Sequence, residues 1–202
     1  MVFYKGLSSD FEIPEKVDVI ISETVGSLGF NENILPYIID ARKRHLQDDG
    51  HIIPAQLSLF LAPTSHSIHL KQTKLNGAIQ SAFHIEIIPA SSLLCAEQLY
   101  FKADFKKTKN IGFDIEKKFI FLKSGTIYGM AGWTAIEWAP GISTNTSPFH
   151  TPTHWKQSYL PLEKPLSIKA GQEFLFRLRI GPDPENPLEA LIEWGYKIMS
   201  PS

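Results

Sequence analysis

The chain of 202 residues is long enough for one ordinary domain, or for one domain with a short additional segment. Its hydrophobic content of 43% and charged content of 20% are typical of a folded protein and exclude a disordered chain. Because 20 Lys and Arg residues are balanced by 21 Asp and Glu residues, the net charge of -1 provides no overall field for nucleic acid or an anionic membrane, and we expect neither as a partner.

The amino-terminal part has the pattern of a strand, a loop and a helix. Residues 17 to 21 form a short apolar run, which predicts a strand buried on both faces of a parallel sheet. A polar, glycine-containing loop follows, and apolar residues then recur with a period near 3.6 from position 34 to 46. Pro36 is tolerated only in the first turn of a helix, so the helix should begin just before it, and the Asp-Asp-Gly sequence at positions 48 to 50 should end it. A further short strand is predicted at residues 2 to 4.

From residue 54 onward, apolar residues alternate with polar ones, which is the period of β-strands. Two such runs, at residues 174 to 180 and 190 to 198, are joined by the turn-rich sequence GPDPENP and predict a carboxy-terminal hairpin. Many short strands and few helices predict an antiparallel β-barrel or β-sandwich. The other candidate strands are residues 57 to 61, 82 to 88, 94 to 103, 111 to 116, 119 to 123, 126 to 138 and 159 to 162.

The predicted fold class is therefore α+β and mostly β, in two parts. Residues 1 to 53 form a small α/β segment, and residues 54 to 202 form the antiparallel β domain. A parallel sheet is normally covered on both faces, and two strands are too few for that arrangement. We therefore expect the first segment to be the end of a larger α/β domain whose other part lies outside this chain.

Several common sites are excluded by spacing. Cys95 is the only cysteine, which excludes an internal disulfide and a thiolate metal site and fits a reducing, cytoplasmic environment. The histidines lack an HExxH spacing, and we expect no metal site. No GxGxxG or GxxxxGK[ST] loop occurs, and Val25 stands where a nucleophile elbow around Ser27 would require glycine. The amino terminus has no apolar run of membrane length, so we predict a cytoplasmic protein.

The loop after the first buried strand carries two carboxylates. Glu23 follows the strand directly, Glu32 precedes the helix, and Gly26 and Gly29 allow the chain to fold back between them. Two converging carboxylates repel each other unless a cation lies between them, and a guanidinium offers five N–H donors in a planar fork. The loop therefore predicts an arginine-binding clamp. The alternative is that Glu32 only stabilises the helix amino terminus while Glu23 is a solvated loop charge.

A second candidate element is the sequence Thr153, His154, Trp155, which follows an irregular segment and precedes an apolar strand. A histidine beside a tryptophan at the mouth of a strand is suited to an aromatic-walled site with a group that titrates near neutral pH. The alternative is a tryptophan that anchors a loop next to an exposed histidine.

Together and in this order, the two elements resemble the protein arginine methyltransferases, in which an SExxGxxxxxE loop and a THW loop close on one site. Ser22, Glu23, Gly26 and Glu32 match the first motif, and residues 153 to 155 match the second. The sequences EKVDVIISE, ARKRHLQDDGHIIP and THWKQSYLPLEKPLSIKAGQEF extend the similarity over nearly the whole chain.

The resemblance implies roles for these residues. Glu23, Glu32 and His154 are implied to be catalytic: the two glutamates hold the arginine and leave its target nitrogen more nucleophilic, and His154 or a glutamate accepts the proton that the product loses. Ser22, Thr153 and Trp155 are implied to bind the arginine-containing protein or peptide substrate. The implied methyl donor is S-adenosylmethionine, which the family binds mainly through a glycine-rich loop that is not found in the 202 residues.

Ser8 and Ser9 occupy positions that contact the adenine side of the cofactor in the family. We therefore expect this chain alone to bind S-adenosylmethionine poorly, and to be inactive without the part that carries the glycine-rich loop. Residues 63 to 80 match a shortened dimerisation arm, so a homodimer is implied. The alternative, from a different class, is a non-catalytic β-barrel interaction module derived from the same family.

Overall fold

The amino-terminal segment forms a small parallel sheet with one helix. The computed structural model describes residues 1–68, 74–75, 78–79 and 83–199. Strand β1 (Val17–Ile21) pairs in parallel with β2 (Leu46–Ile53), and helix α1 (Ile34–His45) connects them. Pro36 is the third residue of α1, where a missing N–H costs nothing. The predicted strand, loop and helix are therefore confirmed.

Three predictions for this segment are wrong. Strand β1 is not buried on both faces: the side chains of Val19 and Ile21 are 43% and 73% exposed, because β2 is its only neighbour among the described residues. Residues 2 to 4 form no strand, and their side chains are exposed. The Asp-Asp-Gly sequence at positions 48 to 50 does not end the helix. It lies inside β2, because the backbone becomes extended at Leu46, which pairs with Val17.

The rest of the described chain is antiparallel, which confirms the mostly-β fold class. The strands are β3 (Gln56–Thr64), β4 (Lys74–Leu75), β5 (Ala78–Ile79), β6 (His84–Glu86), β7 (Gln98–Asp104), β8 (Phe113–Ile120), β9 (Gly125–Ala139), β10 (Ile142–Asn145), β11 (Gln157–Ile168), β12 (Glu173–Pro182) and β13 (Ala190–Met199). One sheet has the order β6-β11-β9-β3-β7, with β10 paired to β9, and a second has the order β13-β12-β8. Strands β4 and β5 pair with each other in a short sheet.

The carboxy-terminal hairpin is confirmed, since β12 and β13 pair over their whole length. Residues 111 to 116 and 119 to 123 were predicted as two strands, but the structure has the single strand β8. Lys117 and Lys118 do not form a turn, because both pair with β12 opposite Phe176 and Leu175. Part of the predicted arm at residues 63 to 80, namely residues 69–73, 76–77 and 80, and the first residue of the strand predicted at 82 to 88, lie outside the described residues.

The helix and the loop before it share one hydrophobic core with the antiparallel sheets. Ile34 and Ile38 of α1 are buried in the same cluster as Leu57, Leu59 and Phe176. Phe30, in the loop, is 1% exposed, and its ring meets Phe101 at 5.2 Å and Phe113 at 5.8 Å between centroids, both edge to face. Strands β7 and β8, which carry those two phenylalanines, therefore fix the loop relative to the sheets.

We predict that Phe30→Ala lowers the free energy of unfolding by about 3–5 kcal/mol, because it removes a fully buried ring and leaves a cavity. The matched control is Phe149→Ala, whose side chain is 62% exposed and whose loss should cost about 0.5 kcal/mol or less. Urea denaturation of both variants measures the difference. Equal losses would contradict the packing of the loop against the sheets.

Candidate functional site

The loop between β1 and α1 carries one of the two predicted glutamates near each of its ends. The backbone N–H of Ser22 donates to the carbonyl of Ile53 at 2.8 Å, which continues the β1–β2 pairing to the start of the loop. The side-chain hydroxyls of Ser22 and Thr24 lie 2.9 Å apart. Glu23 and Glu32 both have exposed side chains. The elements therefore leave both carboxylates accessible to a ligand.

A tight turn inside the loop brings its two ends back toward each other. Gly29 N–H donates to the Gly26 carbonyl at 2.8 Å, and Gly29 has a φ of 76°, which only glycine adopts without strain. A Cβ on Gly26 would lie 2.2 Å from Nδ2 of Asn31, and Oδ1 of Asn31 accepts the N–H of Leu28 at 2.9 Å. The predicted reversal of the chain direction between the two glutamates is therefore present, and the hydrogen bond to the Asn31 side chain stabilises it.

The negative charge of Glu23 affects the ionisation of Glu32. The pKa of Glu32 is raised above the usual value of a glutamate, first because its carboxyl group is partly removed from water and second because of the negative charge of Glu23. A raised pKa means that placing a full negative charge on Glu32 is unfavourable in the free protein. A cation between the two carboxylates would remove that cost.

The Thr-His-Trp sequence forms a turn that contacts this loop directly. Nε1 of Trp155 donates to the carbonyl of Val25 at 2.6 Å, between the two glutamates in sequence. The ring of His154 lies on that of Trp155, with 3.8 Å between centroids, and Trp138 packs against Trp155 at 6.2 Å. Lys156 ends the turn with a φ of 52°. The structure thus places an exposed imidazole and a half-buried indole beside the double-glutamate loop.

Thr153 has a separate feature. Its Oγ1 atom is buried and has no hydrogen-bond partner in the described part of the chain. Its backbone carbonyl accepts the N–H of Lys156 at 3.1 Å, which closes the turn. The Trp155–Val25 hydrogen bond joins two segments of the chain that are more than 100 residues apart. The region that these segments form contains six of the predicted site residues: Ser22, Glu23, Glu32, Thr153, His154 and Trp155.

Ser8 and Ser9 lie elsewhere. They form a short 3₁₀ turn (Ser8–Asp10) whose carbonyl at Ser8 accepts Nη2 of Arg44 at 2.7 Å. Arg44 stands in the last turn of α1, whereas Glu32 precedes its first turn, and twelve helical residues span about 18 Å. The structure does not bring these serines to the glutamates.

The residues present do not fit S-adenosylmethionine on their own. Ser9 Oγ donates to Asp10 at 3.2 Å, and the carboxylate of Asp10 accepts the N–H of Leu7 at 3.2 Å, so the Ser9 hydroxyl is already hydrogen-bonded within the turn. The side chains of Val2, Phe3 and Tyr4 nearby in sequence are exposed and form no enclosed cradle.

Sequence reasoning missed the residues that connect the start of α1 to the carboxy-terminal hairpin. Nδ2 of Asn33 donates to the carbonyl of Pro187 at 2.8 Å, and the Tyr37 hydroxyl donates to the same carbonyl at 2.7 Å. The N–H of Ala190 donates to the carbonyl of Asn31 at 3.2 Å. The only available signal was the Asn-Glu-Asn sequence before the helix, since asparagine is favoured at helix starts and in left-handed backbone, where Asn33 has a φ of 55°.

Comparison with known proteins identifies the family of this chain. Residues 64–201 match the model of the arginine methyltransferase oligomerization subdomain. The chain is 31% identical over 197 residues to the histone-arginine methyltransferase CARMER of Culex quinquefasciatus, and the aligned region covers 83% of this chain and 32% of that protein. It is 32% identical over 201 residues to CARMER of Drosophila persimilis, which covers 86% of this chain and 38% of that protein. The chain spans about a third of the length of these curated relatives.

Solved structures share the fold at lower identity. The Trypanosoma brucei PRMT1 enzyme–prozyme heterotetrameric complex with AdoHcy aligns with a TM-score of 0.80 at 19% identity, covering 96% of this chain and 68% of that one. Protein arginine methyltransferase 10 of Arabidopsis thaliana aligns with a TM-score of 0.79 at 19% identity, covering 98% of this chain and 70% of that one. By its sequence match over more than half of its length, the chain belongs to the protein arginine methyltransferase family.

Proposed function

We propose that the loop of residues 22 to 32 binds the guanidinium group of an arginine in a protein or peptide. The observation that carries this proposal is that Glu23 and Glu32, two accessible carboxylates, lie on one loop that the Trp155 indole contacts. A guanidinium keeps its charge at all physiological pH values and matches carboxylates with two parallel hydrogen bonds. In this proposal, the chain is the substrate-binding part of an S-adenosylmethionine-dependent protein arginine N-methyltransferase.

The chemistry follows from where the carboxylates pull the charge. Two carboxylates that accept hydrogen bonds from one side of the guanidinium draw positive charge toward those nitrogens and leave the third nitrogen richer in electron density. Fixing the group in one orientation also points that nitrogen toward a methyl donor. The imidazole of His154, exposed beside Trp155, is the proposed acceptor of the proton that the methylated nitrogen loses, with a glutamate as the other candidate.

The cofactor and the assembly belong to the same proposal. Two solved relatives contain the product form of S-adenosylmethionine, AdoHcy or SAH, which supports that molecule as the methyl donor. The match to an oligomerization subdomain supports a homodimer.

Two further statements stay predictions, namely the domain division and the cytoplasmic location. The predicted division makes residues 1–53 the end of a Rossmann-like methyltransferase domain and residues 54–202 a β-barrel domain. No helix in the described part of the chain is long and apolar enough to cross a membrane.

We predict that Glu23→Gln and Glu32→Gln each weaken binding of an arginine-containing peptide by about tenfold or more, because one charge-assisted hydrogen bond becomes a neutral one. Calorimetric titration of the 202-residue chain with that peptide, and with its lysine-substituted version, measures the loss and the selectivity. Glu97→Gln, at an exposed carboxylate outside the loop, is the matched control.

Unchanged affinity in both loop variants would overturn the clamp and favour the non-catalytic interaction module. Equal affinity for the arginine and lysine peptides would overturn the guanidinium selectivity. A fold check by circular dichroism accompanies each variant, because both side chains are exposed and their loss should leave the core intact.

We further predict that arginine-peptide affinity falls with decreasing pH, starting above the usual titration range of glutamate. The pKa of Glu32 is raised in the free protein, and the guanidinium binds its ionised form, so binding expels a proton once the pH is near or below that pKa. A single group limits the slope to about tenfold per pH unit. Affinity that stays constant until the ordinary glutamate range would contradict the raised pKa.

A further inference from the structure

The tip of the double-glutamate loop is inserted into the antiparallel sheets. We call Ser27 and Leu28, which lie between Gly26 and Gly29, the loop tip. The side chain of Leu28 is 0% exposed and Ser27 is 4% exposed, although the glutamates on either side of the tip are in solvent. A polar loop that binds a ligand does not by itself require a buried apex, so this burial needs its own explanation.

Two residues of the large sheet receive the loop tip. Gly132 of β9 and Ser158 of β11 are paired across the sheet, and we call them the socket. The hydroxyl of Ser158 is hydrogen-bonded to the hydroxyl of Ser27 at 2.9 Å, and Ser158 is 0% exposed. A Cβ on Gly132 would lie 2.7 Å from Cδ1 of Leu28, closer than real Cβ contacts. Gly132 therefore leaves the space that the Leu28 side chain occupies.

The loop tip connects both glutamates to the socket. Glu23 stands four residues before Ser27, and Glu32 stands four residues after Leu28. The Gly26–Gly29 hydrogen bond closes the turn at the tip, so the position of the tip determines where the two halves of the loop begin. The socket itself is rigid, because Ser158 is paired with Gly132 on one side and with Ile85 of β6 on the other.

We infer that Gly132 and Ser158 are positioning residues, which set the separation of Glu23 and Glu32 by holding the loop tip. The inference rests on the proposed arginine clamp, and it adds two residues of the large sheet, outside the loop that carries the glutamates. The Trp155–Val25 hydrogen bond holds the first half of the loop from the side, and the socket holds its apex. Small displacements of the apex then change the width of the clamp, and a misplacement near 1 Å is enough to cost about a hundredfold in a reaction.

A purely structural role makes a different prediction. Gly132→Ala and Ser158→Ala would lower stability under either role, because one overfills the core and the other leaves the Ser27 hydroxyl without its partner. Only the positioning role changes the interaction between the two carboxylates. The pKa of Glu32 in the free protein, which is raised first by burial and second by the charge of Glu23, responds to a change in their separation.

The experiment is an NMR titration of the side-chain carboxyl carbons of glutamate in the ¹³C-labelled 202-residue chain, without ligand. We expect Gly132→Ala and Ser158→Ala to move the pKa of Glu32 from its wild-type value. Gly195→Ala, where an added Cβ meets nothing within 4 Å, and Ser143→Ala, at an exposed position of β10, are the matched controls and should leave it unchanged. Affinity for the arginine peptide should fall about 10- to 100-fold in the two socket variants only.

An unchanged Glu32 pKa in folded socket variants overturns the inference, as does an unchanged affinity when the wild type binds. If Gly132→Ala fails to fold, Ser158→Ala, which adds no atoms to the core, decides the question alone. If the wild type binds no arginine peptide, the proposed function fails, whereas the ligand-free titration still tests whether the socket sets the spacing of the two carboxylates.

Discussion

The burial of Leu28 and Phe30 in the core of the antiparallel sheets determines how the rest of the molecule is arranged. These two side chains, 0% and 1% exposed, belong to the loop that also carries the exposed carboxylates of Glu23 and Glu32. They fix the loop against β7, β8 and β9, so the two carboxylates stand at a defined place on the protein surface. The small parallel sheet and α1 then follow the loop, and α1 adds Ile34 and Ile38 to the same core.

Three contacts from distant parts of the chain converge on this loop. Trp155 reaches Val25, the hairpin turn at Pro187 reaches Asn33, and the socket holds the tip. Each contact comes from a different strand or turn of the antiparallel part, so no single element determines the loop conformation. This arrangement agrees with a general requirement of functional sites, in which the groups that meet a ligand are held by a shell of supporting residues.

The sequence predicted those helices and strands that have a clear local pattern. The predictions failed where pairing with a distant strand determines the local structure. Alternation with period two located β12 and β13, and Pro36 located the start of α1. The helix end was wrong because residues 47 to 50 belong to β2, whose pairing with β1 at Leu46 and His51 is not revealed by a local pattern. Residues 117 and 118 separated two predicted strands, yet their pairing with β12 makes them part of the single strand β8.

The candidate site shows the same limit. Glu23 and Glu32 were identifiable from their spacing and from the two glycines between them, and the Gly26–Gly29 turn is present in the structure. The serine hydroxyl pair and the space at Gly132 were not, because their significance lies in a contact between residues 131 positions apart. A serine or glycine in a strand carries no sequence signal for such a role.

The raised pKa of Glu32 has a consequence for the protein as a whole. A group that is harder to ionise in the folded state than in the unfolded chain makes folding less favourable as the pH rises through that range. Above that range, an ionised Glu32 without a cation beside it therefore makes a small unfavourable contribution to folding. In the proposed arginine clamp, a bound guanidinium opposes this contribution and adds its own binding free energy to stability. Ligand binding and folding stability are then thermodynamically linked through Glu32.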